Sequence, residues 1–119
     1  MKILLSVLFS ILFFVSQFAA AHGDHDYQPP RQVSESVALI IAQRATISMS
    51  RQDAGLGFGQ LTESWSTIPR ADLAMYKKGR GYYVVSVLNE GEGETLYVLM
   101  SDSGEVYDAN MRGEFDGIE

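Results

Sequence analysis

Three runs in the second half of the chain restrict its fold more than any other feature. They are YYVVSVLN (Tyr82 to Asn89), TLYVLM (Thr95 to Met100) and EVYDANM (Glu105 to Met111). Each is dense in the aromatic and β-branched side chains that fit a pleated, half-buried surface. In the third run Tyr107, Ala109 and Met111 alternate and are expected to share one face. The links are short: NEGEGE joins the first pair and SDSG the second, with Gly104 suited to a left-handed position. Strands joined this way form an antiparallel meander of three, and Leu73 to Lys77 can add a fourth.

A sheet of this size needs a cover for its apolar face. The only long helical pattern runs from Ser34 to Arg51. Ser34 or Ser36 can cap its start. Val37, Ile40, Ile41 and Ala45 recur at helical spacing as its apolar face, with Gln43 and Arg44 on the other side. The expected architecture is therefore α+β, an N-terminal helix packed on a three- to four-stranded antiparallel meander sheet. DAGLGFGQ ends the helix. Its glycines do not follow G-x-G-x-x-G, no strand precedes them and no P-loop lysine follows, so a turn is expected and not a nucleotide site. LTESW, Leu61 to Trp65, reads as a short helical turn that buries the only tryptophan, and Pro69 breaks the chain after it.

The N-terminus reads as an export signal. Met1-Lys2 is a short basic start, Ile3 to Phe18 is almost wholly apolar, and Ala19, Ala20 and Ala21 supply an A-x-A cleavage site. The apolar run is short for a membrane span. Cleavage after Ala21 divides the chain into a signal peptide (1–21), a His/Asp/Pro tail (22–32) and a small α+β domain (33–119). Removing 21 of 119 residues leaves 98, enough for one small domain. The 9 lysines and arginines become 8 once Lys2 is lost, against 15 acidic residues, giving a net charge of −7. An acidic chain disfavours nucleic acid and anionic membranes as partners, and signal cleavage would leave no stable membrane anchor. The chain has no cysteine, which removes thiol redox chemistry, thiolate metal sites and lipidation at an N-terminal cysteine. The core alone must hold the domain together.

Both histidines stand in AAAHGDHD, Ala19 to Asp26. Cleavage after Ala21 makes His22 the new N-terminus. Its amine, with a reference pKa of about 8, yields its proton to a metal near neutral pH. That amine and its own imidazole can chelate one ion, His25 can add a second imidazole, and Asp24 and Asp26 can add oxygen. Such nitrogen-rich ligation suits Cu(II), and to a lesser degree Zn(II) or Ni(II). His22, His25, Asp24 and Asp26 are the candidate metal ligands; the alternative for the segment is a hydrophilic tail.

Elsewhere the bland readings prevail. Met49, Met75, Met100 and Met111 sit in helix or strand patterns and read as core rather than Cu(I) ligands. Glu90, Glu92 and Glu94 lack calcium-loop spacing and read as an acidic hairpin loop. Lys77, Lys78 and Arg80 read as a solvated edge that guards against strand pairing. No spacing singles out a catalytic acid and base, so no catalytic residues are assigned. Of Tyr82, Tyr83, Tyr97 and Tyr107, about half should face the core, leaving the rest for a peptide-binding face.

The order of short pieces along the chain resembles a group of short, secreted bacterial proteins classed as a domain of unknown function. The pieces are Ala21-His22-Gly23 with His25, Ser64-Trp65, Val84-Val85-Ser86, Leu96-Tyr97-Val98, and Ser103-Gly104-Glu105 with Ala109-Asn110 and Gly113. DAGLGFG is longer than the usual link before Ser-Trp, and the tail has fewer histidines than the richest members. The resemblance implies a Gram-negative periplasmic location and a histidine tail that is a family feature, but no reaction. The layout is also similar to PepSY-type domains, which are thought to bind or restrain peptidases. Two expectations follow. One is a non-enzymatic periplasmic protein binding a divalent transition metal, Cu or Zn, through its tail. The other is a module that binds a peptide or another periplasmic protein on its sheet face.

Overall fold

The computed structural model describes residues 31–118. A helix α1 (Glu35–Arg51) is followed by two short 3₁₀ turns, η1 (Glu63–Thr67) and η2 (Arg70–Asp72). Four strands then run in order: β1 (Leu73–Gly79), β2 (Tyr82–Asn89), β3 (Glu94–Ser101) and β4 (Val106–Asn110). They form one antiparallel sheet in the order β1-β2-β3-β4. The fold is the expected α+β meander, with the fourth strand present. No helix among the described residues is long and apolar enough to cross a membrane.

Local chemistry accounts for the limits of α1. Ser34 is the N-cap, its hydroxyl accepting from the Val37 amide at 3.2 Å, with Glu35 in the first turn and Arg51 in the last. That places opposite charges at the ends where the helix dipole favours them. DAGLGFGQ then reverses the chain as expected, and the Leu61 amide donates back to Met49 O at 2.9 Å.

The core lies between α1 and one face of the sheet. Rows of side chains run across the strands, such as Met75–Val85–Val98–Ala109 and Leu73–Val87–Leu96. Trp65, only 1% exposed, enters from η1, and Leu61 and Ile68 flank it. All four methionines of the domain belong here: Met49 and Met100 are buried, and Met75 and Met111 pack against them.

Two details depart from the sequence reading. On α1, Ile41 and Ala45 pack on the core as expected, but Val37 is 39% exposed and Ile40 lies outside the core cluster. The buried stripe is Ala38, Ala42, Thr46 and Met49. The sheet already supplies the bulk, in Leu96, Met100 and its valines, and η1 adds Trp65. The helix can come close only through its small residues, because interiors pack to near-crystalline density. Thr46 is accommodated by donating its hydroxyl to Ala42 O at 2.8 Å.

On β4, Ala109 and Met111 do face the core, but Tyr107 is 57% exposed and Val106 packs inward in its place. The register explains this: Leu99 pairs with Asp108 while Met100 pairs with Val106, so Tyr107 is the extra residue of a β-bulge. A second irregularity falls in β1 between Met75 and Lys77, at Tyr76. Both edge strands are thus bulged, which twists their free edges away from regular pairing.

Candidate functional site

The candidate metal ligands His22, Asp24, His25 and Asp26 lie outside the described residues. Among the described residues, no group of three or more His, Cys, Asp or Glu side chains is placed to hold a metal ion.

The segment that follows the tail is held firmly. The Val33 amide donates to Asp102 O at 2.8 Å, and Tyr83 donates its hydroxyl to Val33 O at 2.8 Å. The amide of Asp102 in turn donates to Gly81 O at 3.0 Å. These bonds tie residue 33 to both the β1–β2 and β3–β4 turns. The second turn is shaped by Ser101, whose hydroxyl accepts from the Glu105 amide at 3.0 Å. Gly104 has φ +99°, and a Cβ there would lie 2.8 Å from Ile41 Cδ1. Glycine adopts that backbone without strain, and the tip of the Ile41 side chain fills the space its missing Cβ leaves. Beside this junction Lys78 bonds Glu35 at 2.5 Å, and the carboxylate holds the lysine pKa above its ordinary value. Both side chains are about half exposed, so the pair contributes little to stability.

The Ser64-Trp65 pair has a clear structural role. Thr62 and Ser64 donate their hydroxyls to the same Glu92 oxygen, at 2.5 and 2.7 Å. These two hydrogen bonds, Thr62 first, hold the Glu92 carboxyl below the usual glutamate range, with a smaller contribution from Trp65. Buried Asn89 donates to Ser64 Oγ at 2.9 Å and accepts from the Glu92 amide at 3.2 Å. The acidic hairpin loop is therefore latched at Glu92 onto η1. Composition marks Glu92 as a solvated acid, and its three partners lie about thirty residues earlier, so no local pattern reveals the latch. Chemically the cluster orients a loop: Ser64 donates to a carboxylate and accepts from an amide, and no histidine lies within residues 31–118 to activate it.

The other sheet face carries a second cluster of Tyr82, Val84 and Leu99, with Tyr97, Phe115 and Ile118 packed against it. Of the four tyrosines expected to divide about equally, only Tyr83 faces the helix side; Tyr82 and Tyr97 belong to the outer face and Tyr107 is exposed at the bulge. Tyr76, 53% exposed, meets Tyr97 edge-on, with ring centroids 4.7 Å apart at 61°. The C-terminal segment is turned onto this face by Asn110. Its side chain accepts from the amides of Arg112 (2.9 Å) and Gly113 (2.8 Å) and donates to Glu114 O (2.9 Å). Gly113, at φ +79°, lets the backbone pass the Tyr97 ring, where a Cβ would sit at 3.3 Å. This explains the spacing of Asn110 and Gly113.

Among the described residues, the sequence pieces behind the resemblance occupy distinct structural positions: a loop latch, the two central strands of the sheet, a glycine turn and an Asn turn. No curated protein and no solved structure matches the chain. A family model does match, over residues 1–114. That span contains the histidine segment, α1 and the whole sheet, and the chain belongs to this family, DUF6488, a family of unknown function.

Proposed function

We propose that this is a non-enzymatic periplasmic protein that binds one divalent transition metal ion, Cu(II) or Zn(II), through its N-terminal segment. The observation that carries the reading is the placing of both histidines. They stand at positions 22 and 25, directly after a signal-like segment, within the span shared with the family. In this reading His22 chelates through its free amine and imidazole, His25 adds a second imidazole, and Asp24 and Asp26 complete the donor set. The α+β domain is the body that carries the segment, and residue 33 is the point where it is fixed.

Native mass spectrometry of the protein exported to a periplasm and purified without chelators tests this directly. A chain beginning at His22 and carrying one copper or zinc ion is expected. The double substitution His22→Ala, His25→Ala should abolish stoichiometric binding. A chain beginning elsewhere, or one still metal-free after an equivalent of copper, would refute the reading.

One observation favours a second reading, a peptide-binding module on the sheet. The exposed ring of Tyr76 against Tyr97 offers an aromatic rim beside β1. In that case Tyr76→Ala would weaken peptide capture and the histidine substitutions would not.

A further inference from the structure

The rotation of α1 about its axis has left a stripe of side chains facing away from the core. Val37, Ile40, Arg44, Ile47 and Arg51 recur at intervals of three and four, so they form one line along the helix. The line runs about 21 Å, from 1.5 Å of rise per residue. Val37 is 39% exposed, Ile40 and Ile47 are half-buried, and none of the three belongs to the core cluster. Arg44 and Arg51 are exposed, and neither forms an ion pair among the described residues, although Glu63 lines the groove next to Arg51. Around them lies an open groove of about 360 Å³ bounded by Arg44, Ile47, Ser48, Arg51 and Gln52.

We infer that this face of α1 docks an amphipathic helix from another protein, one that interleaves aliphatic side chains with carboxylates two helical turns apart. The aliphatic residues give the stripe a reason to leave water. The two arginines choose the partner. They are seven residues apart, about 10 Å along the axis, and each can take a carboxylate in forked geometry. The same charges disfavour a second copy of this chain. An antiparallel pairing centred on the stripe sets Arg44 against Arg44, and a parallel one sets every arginine against its equivalent. The chain carries a net negative charge overall, so a cationic stripe that also carries aliphatic side chains sets this face apart from the rest of the surface for an acidic partner. This docking does not depend on the metal reading.

The test uses the exported protein, labelled with ¹⁵N, and two synthetic helical peptides. One alternates leucine with glutamates seven residues apart; the other has lysine in place of each glutamate. Amide shifts on titration with the glutamate peptide should cluster at Val37, Ile40, Arg44, Ile47 and Arg51. The Arg44→Glu, Arg51→Glu variant should bind that peptide about tenfold more weakly, the weight of two exposed charge pairs, and should bind the lysine peptide better than the parent protein does. Both substituted positions are exposed, so an unchanged far-ultraviolet circular dichroism spectrum is expected. Equal binding of the two peptides, shifts confined to the sheet, or no saturable shift would overturn the inference. So would a charge reversal that moves only the amides of Asp24 and Asp26, since the occupant would then be the protein's own tail.

Discussion

The two faces of the sheet are both apolar and both covered, but by very different means. The inner face is covered by a helix of 17 residues and by Trp65 from η1. The residues that meet there come from α1, η1 and all four strands, and most are almost wholly removed from water. The outer face is covered chiefly by Phe115 and Ile118, both only partly buried, on a segment held by one asparagine side chain. Burying an inner residue therefore depends on the whole fold, while the outer cover depends on a local turn. Regions of the second kind open at a lower free energy than the global one. The family match ends at residue 114, just before Phe115, so the outer cover lies beyond the shared span and the inner one within it.

Three perturbations should break or sharpen this contrast. Trp65→Ala opens a large hole in the inner core and should cost about 3–5 kcal/mol. The measurement is the urea midpoint of the purified protein, and the loss should be seen equally by every probe. A loss below about 1 kcal/mol would mean that the inner face is not the centre of stability. Asn110→Ala removes three hydrogen bonds to the C-terminal turn and should cost about 1 kcal/mol. Its signature is local. Amides of residues 112–118 should exchange faster, and the outer cluster around Tyr82 and Leu99 should gain access to a hydrophobic dye, while inner-strand amides stay protected. Uniform acceleration would show that the two faces unfold together.

The smallest effect concerns the loop latch. Glu92 has its folded pKa lowered by Thr62 and Ser64, so its ionised form is favoured by folding. Its stabilisation is present above the ordinary glutamate value and is lost as pH falls through the lowered one. Glu92→Gln should therefore be slightly less stable than the parent near neutral pH, and the difference should vanish in acid. A difference that grew on acidification would reverse this assignment.

Much of the structure was legible because it is encoded locally. Strand runs, short turns, the Ser34 cap and the burial of Trp65 each follow from neighbouring residues, and each appears where expected. Gly104 was legible for the same reason, since its turn leaves only a left-handed position. The candidate metal ligands are a local pattern too, two histidines and two aspartates after the apolar N-terminal run, and they lie outside the described residues.

What only the tertiary structure decided involves residues far apart in the chain. Periodicity identifies the apolar positions of α1 but cannot rank Val37 and Ile40 against Ala38 and Ala42. That choice was made by the volume already filled by Trp65, Leu96 and Met100, which favours the small Ala38 and Ala42 at the closest approach of the helix. Alternation in β4 would have buried Tyr107, but one bulge shifts the phase and buries Val106 instead. Glu92 finds Thr62 and Ser64 only after the sheet and η1 have met. The physical reason is common to all three. Local patterns set which residues can be buried, whereas dense packing of distant elements selects which of them are.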